Sequence, residues 1–351
     1  MSKSTRHIPS LDGLRAVSFL LVFVAHAGLE QYVPGGLGVT IFFFLSGFLI
    51  TTLMRSEYER NSAINFGHFW LRRALRILPP FYLVLFAAVI ASMTLQPHSV
   101  APAPVAAQAL HYSNYWIIFH GYDGLPAGTG VYWSLAVEEH FYVFFPWLFS
   151  SIRASRVSAR GQAAIFWGLC ALVLLWRCLL VFKYHVVENR TYMASDTRLD
   201  SILFGCALAV WKSPVLDDVG LCERRWKFLY VPLALLVMGG CFVVRSQEFR
   251  ETLRYSLQGL ALTVLFVAAI RFCHWQAFRW LNLRPMVFVG LLSYSLYLLH
   301  YAVLSALQLT LPSVPTLPRA ILALALSIGL SWIIYVMIEK PCARLRKKLA
   351  D

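Results

Sequence analysis

The run Leu37-Gly38-Val39-Thr40-Ile41-Phe42-Phe43-Phe44-Leu45-Ser46-Gly47-Phe48-Leu49-Ile50-Thr51-Thr52-Leu53-Met54-Arg55 decides what kind of protein this is. Its first 18 residues carry no ionisable side chain. A helix crosses a bilayer with about 20 mostly apolar residues. Backbone in hydrocarbon must satisfy its own hydrogen bonds, so such a run reads as helix and not as open sheet. Comparable blocks recur along the chain. They place spanning helices at 11–29, 37–55, 77–95, 131–150, 163–182, 198–212, 227–245, 254–272, 286–308 and 319–339. The alternating pattern of a membrane barrel is absent. The expected fold is an all-α integral membrane protein, a bundle of about ten transmembrane helices. Segment 105–120 is apolar and aromatic (Tyr112, Tyr115, Trp116) but short, and reads as a re-entrant or interfacial helix.

Composition agrees. Of 351 residues, 59% are hydrophobic and 14% charged, whereas soluble domains carry roughly 25% charged residues. The net charge of +14 would suggest nucleic acid on a soluble protein. Here it reads as loop charge that sets topology, with no nucleic-acid partner. With the N-terminus cytoplasmic, 22 Lys and Arg fall on inner segments and 6 on outer ones, out of 31 in all. Inner ones include Lys3, Arg6 and the group from Arg55 to Arg76. Both termini are therefore expected in the cytoplasm. Residues 1–340 read as one membrane-embedded domain and 341–351 as a short basic cytoplasmic tail, anchored near anionic membrane lipid. The seven cysteines form no CxxC or Cys/His spacing, so neither a metal site nor a disulfide framework is expected. The first apolar block lacks a small-residue cleavage site and holds Arg15 and His26, so it reads as a retained helix.

Ionisable groups inside spans are costly and by default propose a functional site. In the first block Arg15 and His26 share a face about 16 Å apart, with Asp12 close to it. His26 reads either as part of a polar path or as an interfacial histidine on a neighbouring carbonyl. In Arg72-Arg73-Ala74-Leu75-Arg76, ahead of the third span, helical spacing lets all three arginines point one way. Their paired N–H groups suit phosphate, although plain topology anchoring is the alternative. Trp133-Ser134-Leu135-Ala136-Val137-Glu138-Glu139-His140 buries two carboxylates that must pair, protonate or face a cavity. Asp196-Thr197-Arg198-Leu199-Asp200 either caps a helix start or shapes the site. Ser293, Tyr297 and His300 share a face and read first as polar glue between helices. Glu339-Lys340-Pro341 reads as a latch. His26, Glu138, Glu139, Asp196 and Arg198 map to the outer half, and Arg72, Arg73 and Arg76 to the inner surface.

The ordered blocks Ser10-Leu11-Asp12-Gly13-Leu14-Arg15-Ala16 with His26, Phe43-Phe44-Leu45-Ser46-Gly47-Phe48-Leu49-Ile50, Arg72 to Pro79, Trp133 to Tyr142, Asp196 to Asp200 and Ser293 to His300 resemble the membrane-bound acyltransferase family 3. These are the many-helix O-acyltransferases of bacterial surface glycans. The resemblance covers nearly the whole chain. It implies an acyl-CoA donor, usually acetyl-CoA, and transfer to a sugar hydroxyl of a glycan or glycolipid, in a multi-pass protein of the bacterial inner membrane. It maps an essential histidine to His26 and paired arginines to Arg73 and Arg76, and draws attention to Arg15, Glu138 and Glu139. His140 stands where many relatives have glutamine. Some relatives carry an added extracytoplasmic domain, so a separate extracytoplasmic transferase is an expected partner.

The expected mechanism holds the donor phosphates on Arg72, Arg73 and Arg76 and threads the pantetheine arm past Arg15 to His26. The imidazole then serves as general base or carries the acyl group, oriented by Glu138 or Glu139. Asp12, Asp196, Arg198, Asp200, Tyr297 and His300 shape the site. The rivals are a glycolipid transporter or flippase, a non-catalytic scaffold, and acylation of a small metabolite. Release of CoA in step with turnover separates the first from an enzyme.

Overall fold

The computed structural model describes residues 8–348, with the backbone alone for Lys347. Lys3 and Arg6 lie outside the described residues. Among the described residues the chain is helical, with no strand. The main helices are α1 (Pro9–Val24), α2 (Gly35–Asn61), α3 (Phe66–Leu95), α4 (Pro102–Ala109), α5 (Ser113–His120), α6 (Trp133–Ala154), α7 (Ala159–Phe182), α8 (Ser195–Val210), α9 (Val231–Val243), α10 (Leu253–Arg271), α11 (Arg284–Thr310) and α12 (Thr316–Ile334).

A helix occupies each of the ten expected positions. Among the described residues eight runs are long and apolar enough to cross a membrane by length and composition. The protein is thus an all-α integral membrane protein. Two expected spans fall outside that set. α6 carries Glu138, Glu139 and Arg153, and α8 has only 16 residues, about 24 Å of helix. Segment 105–120 breaks at Leu110 into two helices of 8 residues, α4 and α5. Each is about 12 Å long, too short to span.

One boundary needs correction. The third span was expected from residue 77, with the arginines in a preceding loop. Instead α3 begins at Phe66, where the Asn65 side chain accepts the His68 N–H at 2.9 Å. Arginine and leucine are good helix formers, so residues 66–76 extend the span. The helix also carries Pro79 and Pro80. There the Tyr294 hydroxyl of α11 donates to the Ile77 carbonyl.

Successive helices run in opposite senses. One end of the bundle gathers the start of α1, the end of α2 and the start of α3, and will be called the arginine end. The opposite end carries residues 96–130. α2 lies at the centre, with 83% of its apolar window buried, against 22% for α7 and for the runs that contain α9 and α12. The outer helices expose Leu172, Leu175, Leu236 and Ile321. Such a surface suits lipid and not water.

Two crossings are tight enough to require glycine. A Cβ at Gly290 of α11 would lie 1.9 Å from the Asp12 carbonyl oxygen of α1. One at Gly47 of α2 would lie 2.0 Å from the Ile202 carbonyl oxygen of α8. Small residues let membrane helices approach to this distance. Deeper in, the Arg177 guanidinium of α7 donates to Asp200 of α8, to Ser256 of α10 and to the Thr197 carbonyl. Both charged side chains are fully buried.

Candidate functional site

α1, α2, α3, α6 and α11 surround a narrow cavity of about 110 Å³. Its arginine end is lined by Arg15, Arg73, Arg76 and Glu138, and its walls continue through Ser46, Phe42, Val39 and Ser134 to Tyr297. Arg73 and Arg76 are three residues apart and so share a face of α3. Neither makes an ion pair among the described residues. The Arg73 guanidinium lies 5.7 Å over the Tyr142 ring. Arg15 donates to Asp12 at 2.7 Å, one helical turn away. With Arg15 offset by Asp12, the lining keeps two arginine charges against one carboxylate, an arrangement that attracts an anion.

Arg72 does not join them. It donates to Glu57 of α2 at 2.8 Å. Adjacent residues diverge by about 100° around a helix, so Arg72 cannot face where Arg73 faces. The expected convergence of three arginines is corrected to two, with Arg15 as the third cation.

Glu138 also departs from its expected place. It sits with the arginines and not beside His26. The Tyr142 hydroxyl donates to it at 2.7 Å, and the Ser46 hydroxyl approaches at 3.5 Å. Ser46 and Tyr142 also bond each other. A carboxylate in an apolar helix goes where charges and hydroxyls already are, and here that is the arginine cluster. Glu139 is not part of the lining, and its Oε1 is buried without a hydrogen-bond partner among the described residues.

His26 lies about 16 Å further along the first helix. It occupies a wide turn, Ala25–Leu29, in which Gly28 takes a φ of 102° that a side chain would strain. His26 meets His300 of α11, with Nδ1 3.0 Å from the His300 Nε2. The ring of Tyr301 stacks on His26 at 4.5 Å. His300 is fully buried, and its Nδ1 faces the Leu296 and Tyr297 carbonyl oxygens at 3.1 and 2.9 Å. Carbonyl oxygens only accept, so His300 Nδ1 carries the proton and its Nε2 is an acceptor when neutral. His26 Nδ1 must then donate, which leaves the lone pair on His26 Nε2. The ring of Tyr297 lies 5.8 Å from that of His300. The Tyr297 hydroxyl bonds Ser134 at 2.6 Å and donates to the Val131 carbonyl at 3.1 Å. The cavity therefore leads from the arginines to the neighbour of the histidine pair.

The remaining expected residues lie outside the lining. Asp196 accepts from Arg190 and from the Trp176 indole at the opposite end of the bundle. Asp200 is taken by Arg177. Arg198 is fully buried with its guanidinium 4.0 Å from the Tyr255 ring centroid. It also lies over Phe43 and donates to Thr40, so it backs the cavity wall. His140 Nδ1 bonds the Ser195 hydroxyl at 2.7 Å, tying α6 to the start of α8. Glu339 accepts from Ser295, a latch between the last turns of the bundle and α11. Among the described residues no group of His, Cys, Asp or Glu is placed to hold a metal. Ser46 and Tyr142 had no assigned role in the sequence reading. Tyr142 was within reach, since it stands four residues from Glu138, one helical turn.

A family model described as an acyltransferase domain matches residues 8–336. The chain belongs to this acyltransferase family. Over 96% of its length it is 30% identical to the peptidoglycan O-acetyltransferase OatA of Listeria monocytogenes, covering 56% of that protein. It is 31% identical to the putative peptidoglycan O-acetyltransferase YrhL of Bacillus subtilis, over 96% of this chain and 55% of the relative. Against a putative O-acetyltransferase of Staphylococcus aureus strain COL the identity is 30%, over 86% of this chain and 52% of the relative. The acyltransferase chain thus spans about half the length of the curated relatives it matches. No solved structure matches it.

Proposed function

We propose that this protein transfers an acetyl group from acetyl-CoA across the bacterial inner membrane to a hydroxyl of a cell-wall glycan. The arginine end faces the cytoplasm, ten helices span, and both termini lie inside. The supporting observation is one narrow cavity with arginines free of ion pairs among the described residues at one end and, beyond Tyr297, a histidine pair whose uncommitted ring lone pair is on His26 Nε2. The names of the relatives supply the acceptor class.

Arg73, Arg76 and Arg15 hold the donor phosphates. The slender arm of the donor lies along Ser46, Phe42 and Tyr297, and its thioester reaches His26. His26 Nε2 takes the proton of the sugar hydroxyl as that oxygen attacks the thioester carbon. The C–S bond breaks, the thiolate leaves, and the imidazolium proton returns to it. The products are the O-acetyl ester and CoA. His300 holds the His26 ring and accepts its Nδ1 proton throughout.

The test expresses the native chain and His26→Ala at matched membrane levels in a strain lacking the gene. Alkali-labile O-acetyl groups on the cell-wall glycan are then measured by NMR. Return of the groups with the native chain alone is expected. Equal restoration by both removes His26 from the chemistry, and restoration by neither moves the acceptor elsewhere.

A further inference from the structure

A second cavity, of about 490 Å³, lies apart from the first and shares no lining residue with it. It sits at the arginine end between α7, the end of α8, the turn at Trp226–Tyr230 and the end of α10. Arg55 of α2 fixes this corner by donating to the Ala209 and Val210 carbonyls and to Asp217. The mouth carries Lys212, Arg225 and Arg271, and no Asp or Glu lines the cavity. Of the three acids beside the turn, Asp218 is exposed outside the lining and the other two are engaged elsewhere. Asp217 is held by Arg55, and Glu223 accepts from Trp275 and His274. Lys212 and Arg225 have no carboxylate partner among the described residues. Arg271 donates to the Asp217 carbonyl, yet its Nε is buried without a hydrogen-bond partner among the described residues.

Behind the cations the wall is apolar and aromatic, with Trp167, Trp211 and Trp226. From Arg271 back to Thr263 is eight residues, about 12 Å of helix, so the cavity extends well into the bilayer. α7 and the run containing α9 are peripheral, so these walls of the cavity lie beside lipid. Tryptophans at the interface and cations at the mouth match an amphiphile with an anionic head. Arginine grips a phosphate diester through paired N–H donors, and the volume is that of an ordinary ligand site, about 300–1,000 Å³.

We infer that this cavity is a binding site for one anionic phospholipid of the arginine-end leaflet, with its phosphate on Lys212, Arg225 and Arg271 and an acyl chain along Trp167 and Thr263.

The test is native mass spectrometry of the purified full chain with phosphatidylglycerol or phosphatidylcholine at equal mole fraction. Retention of one phosphatidylglycerol, with phosphatidylcholine lost, is expected. Each cation near an anionic surface is worth about fivefold in binding, so the double variant Lys212→Gln/Arg225→Gln should weaken retention about 30-fold. Thr263→Phe fills the chain end and should block retention with all cations in place. Equal retention of both lipids, or full retention by either variant with a native melting profile, overturns the proposal. So does displacement of phosphatidylglycerol by inorganic phosphate or free CoA, which would make this a site for soluble phosphates. If the double variant does not fold, Thr263→Phe and the two competitors decide the matter alone.

Discussion

His300→Leu isolates what the histidine pair contributes. Leucine keeps most of the volume inside the shell of Phe19 and Phe23 but removes the acceptor 3.0 Å from His26 Nδ1. Neutral histidine then shifts to the tautomer with its proton on Nε2, which has no lone pair there for the acceptor hydroxyl. The direct loss of one hydrogen bond is about 0.5–1.5 kcal/mol. Loss of the base is larger, since a positioned general base contributes about 10²–10⁴-fold. We therefore expect kcat to fall by about 100- to 1,000-fold, equal to about 2.7–4 kcal/mol in the barrier. KM for acetyl-CoA should stay constant, because the arginines that hold it line the other end of the cavity, with Arg15 roughly 16 Å from His26 along the first helix. CoA release in reconstituted vesicles, with acceptor supplied, measures both. His300→Gln offers a carboxamide oxygen to the same proton and should recover at least tenfold of the loss. Unchanged kcat in His300→Leu, or a glutamine variant no better than leucine at equal protein level, refutes the tautomer argument.

Arg73→Gln removes one unpaired guanidinium from the cavity and should raise KM for acetyl-CoA about 10- to 100-fold, since charged hydrogen bonds are worth about 1.5–3 kcal/mol; a change confined to kcat in the same vesicle assay contradicts donor binding. Gly290→Ala places a methyl 1.9 Å from the Asp12 carbonyl oxygen and should cost about 1–3 kcal/mol by overpacking, read as a lower melting temperature in detergent. Burial pushes the Asp217 carboxyl up, but hydrogen bonds from Arg55 and the Ser213 N–H outweigh it and hold the pKa below its ordinary value. Its contribution to stability is therefore present above the unfolded pKa of about 3.9 and lost as pH falls below it. Asp217→Asn should show a flatter melting temperature between pH 6 and 3 than the native chain, and parallel curves would refute the linkage.

The helices were legible because long runs such as 37–54 hold no charge and lack the alternation of a barrel strand, which leaves the helix as the backbone that satisfies itself in lipid. The start of α3 was not, because Arg72 to Arg76 read as a charged loop ahead of the span. Arg73 and Arg76 were found by their spacing. Arg72 was misplaced because its partner, Glu57, sits on another helix. Depth along a helix put Glu138 in the outer half, but Ser46, Tyr142 and the arginines decide where it bonds, and their convergence is tertiary. The pairing of His26 with His300 spans 274 residues. No periodicity carries that distance, although each histidine was individually conspicuous inside an apolar block.

The size of the first cavity bears on the cell's energy supply. A volume of about 110 Å³ holds three or four waters at about 30 Å³ each. That is too few for an unbroken file of water from one face to the other. Phe42, Phe43 and Tyr297 line this narrow space. Unpaired arginines at the entrance repel protons and sodium. Under the function proposed above, an acetyl group would pass outward without short-circuiting the ion gradient that the membrane exists to maintain.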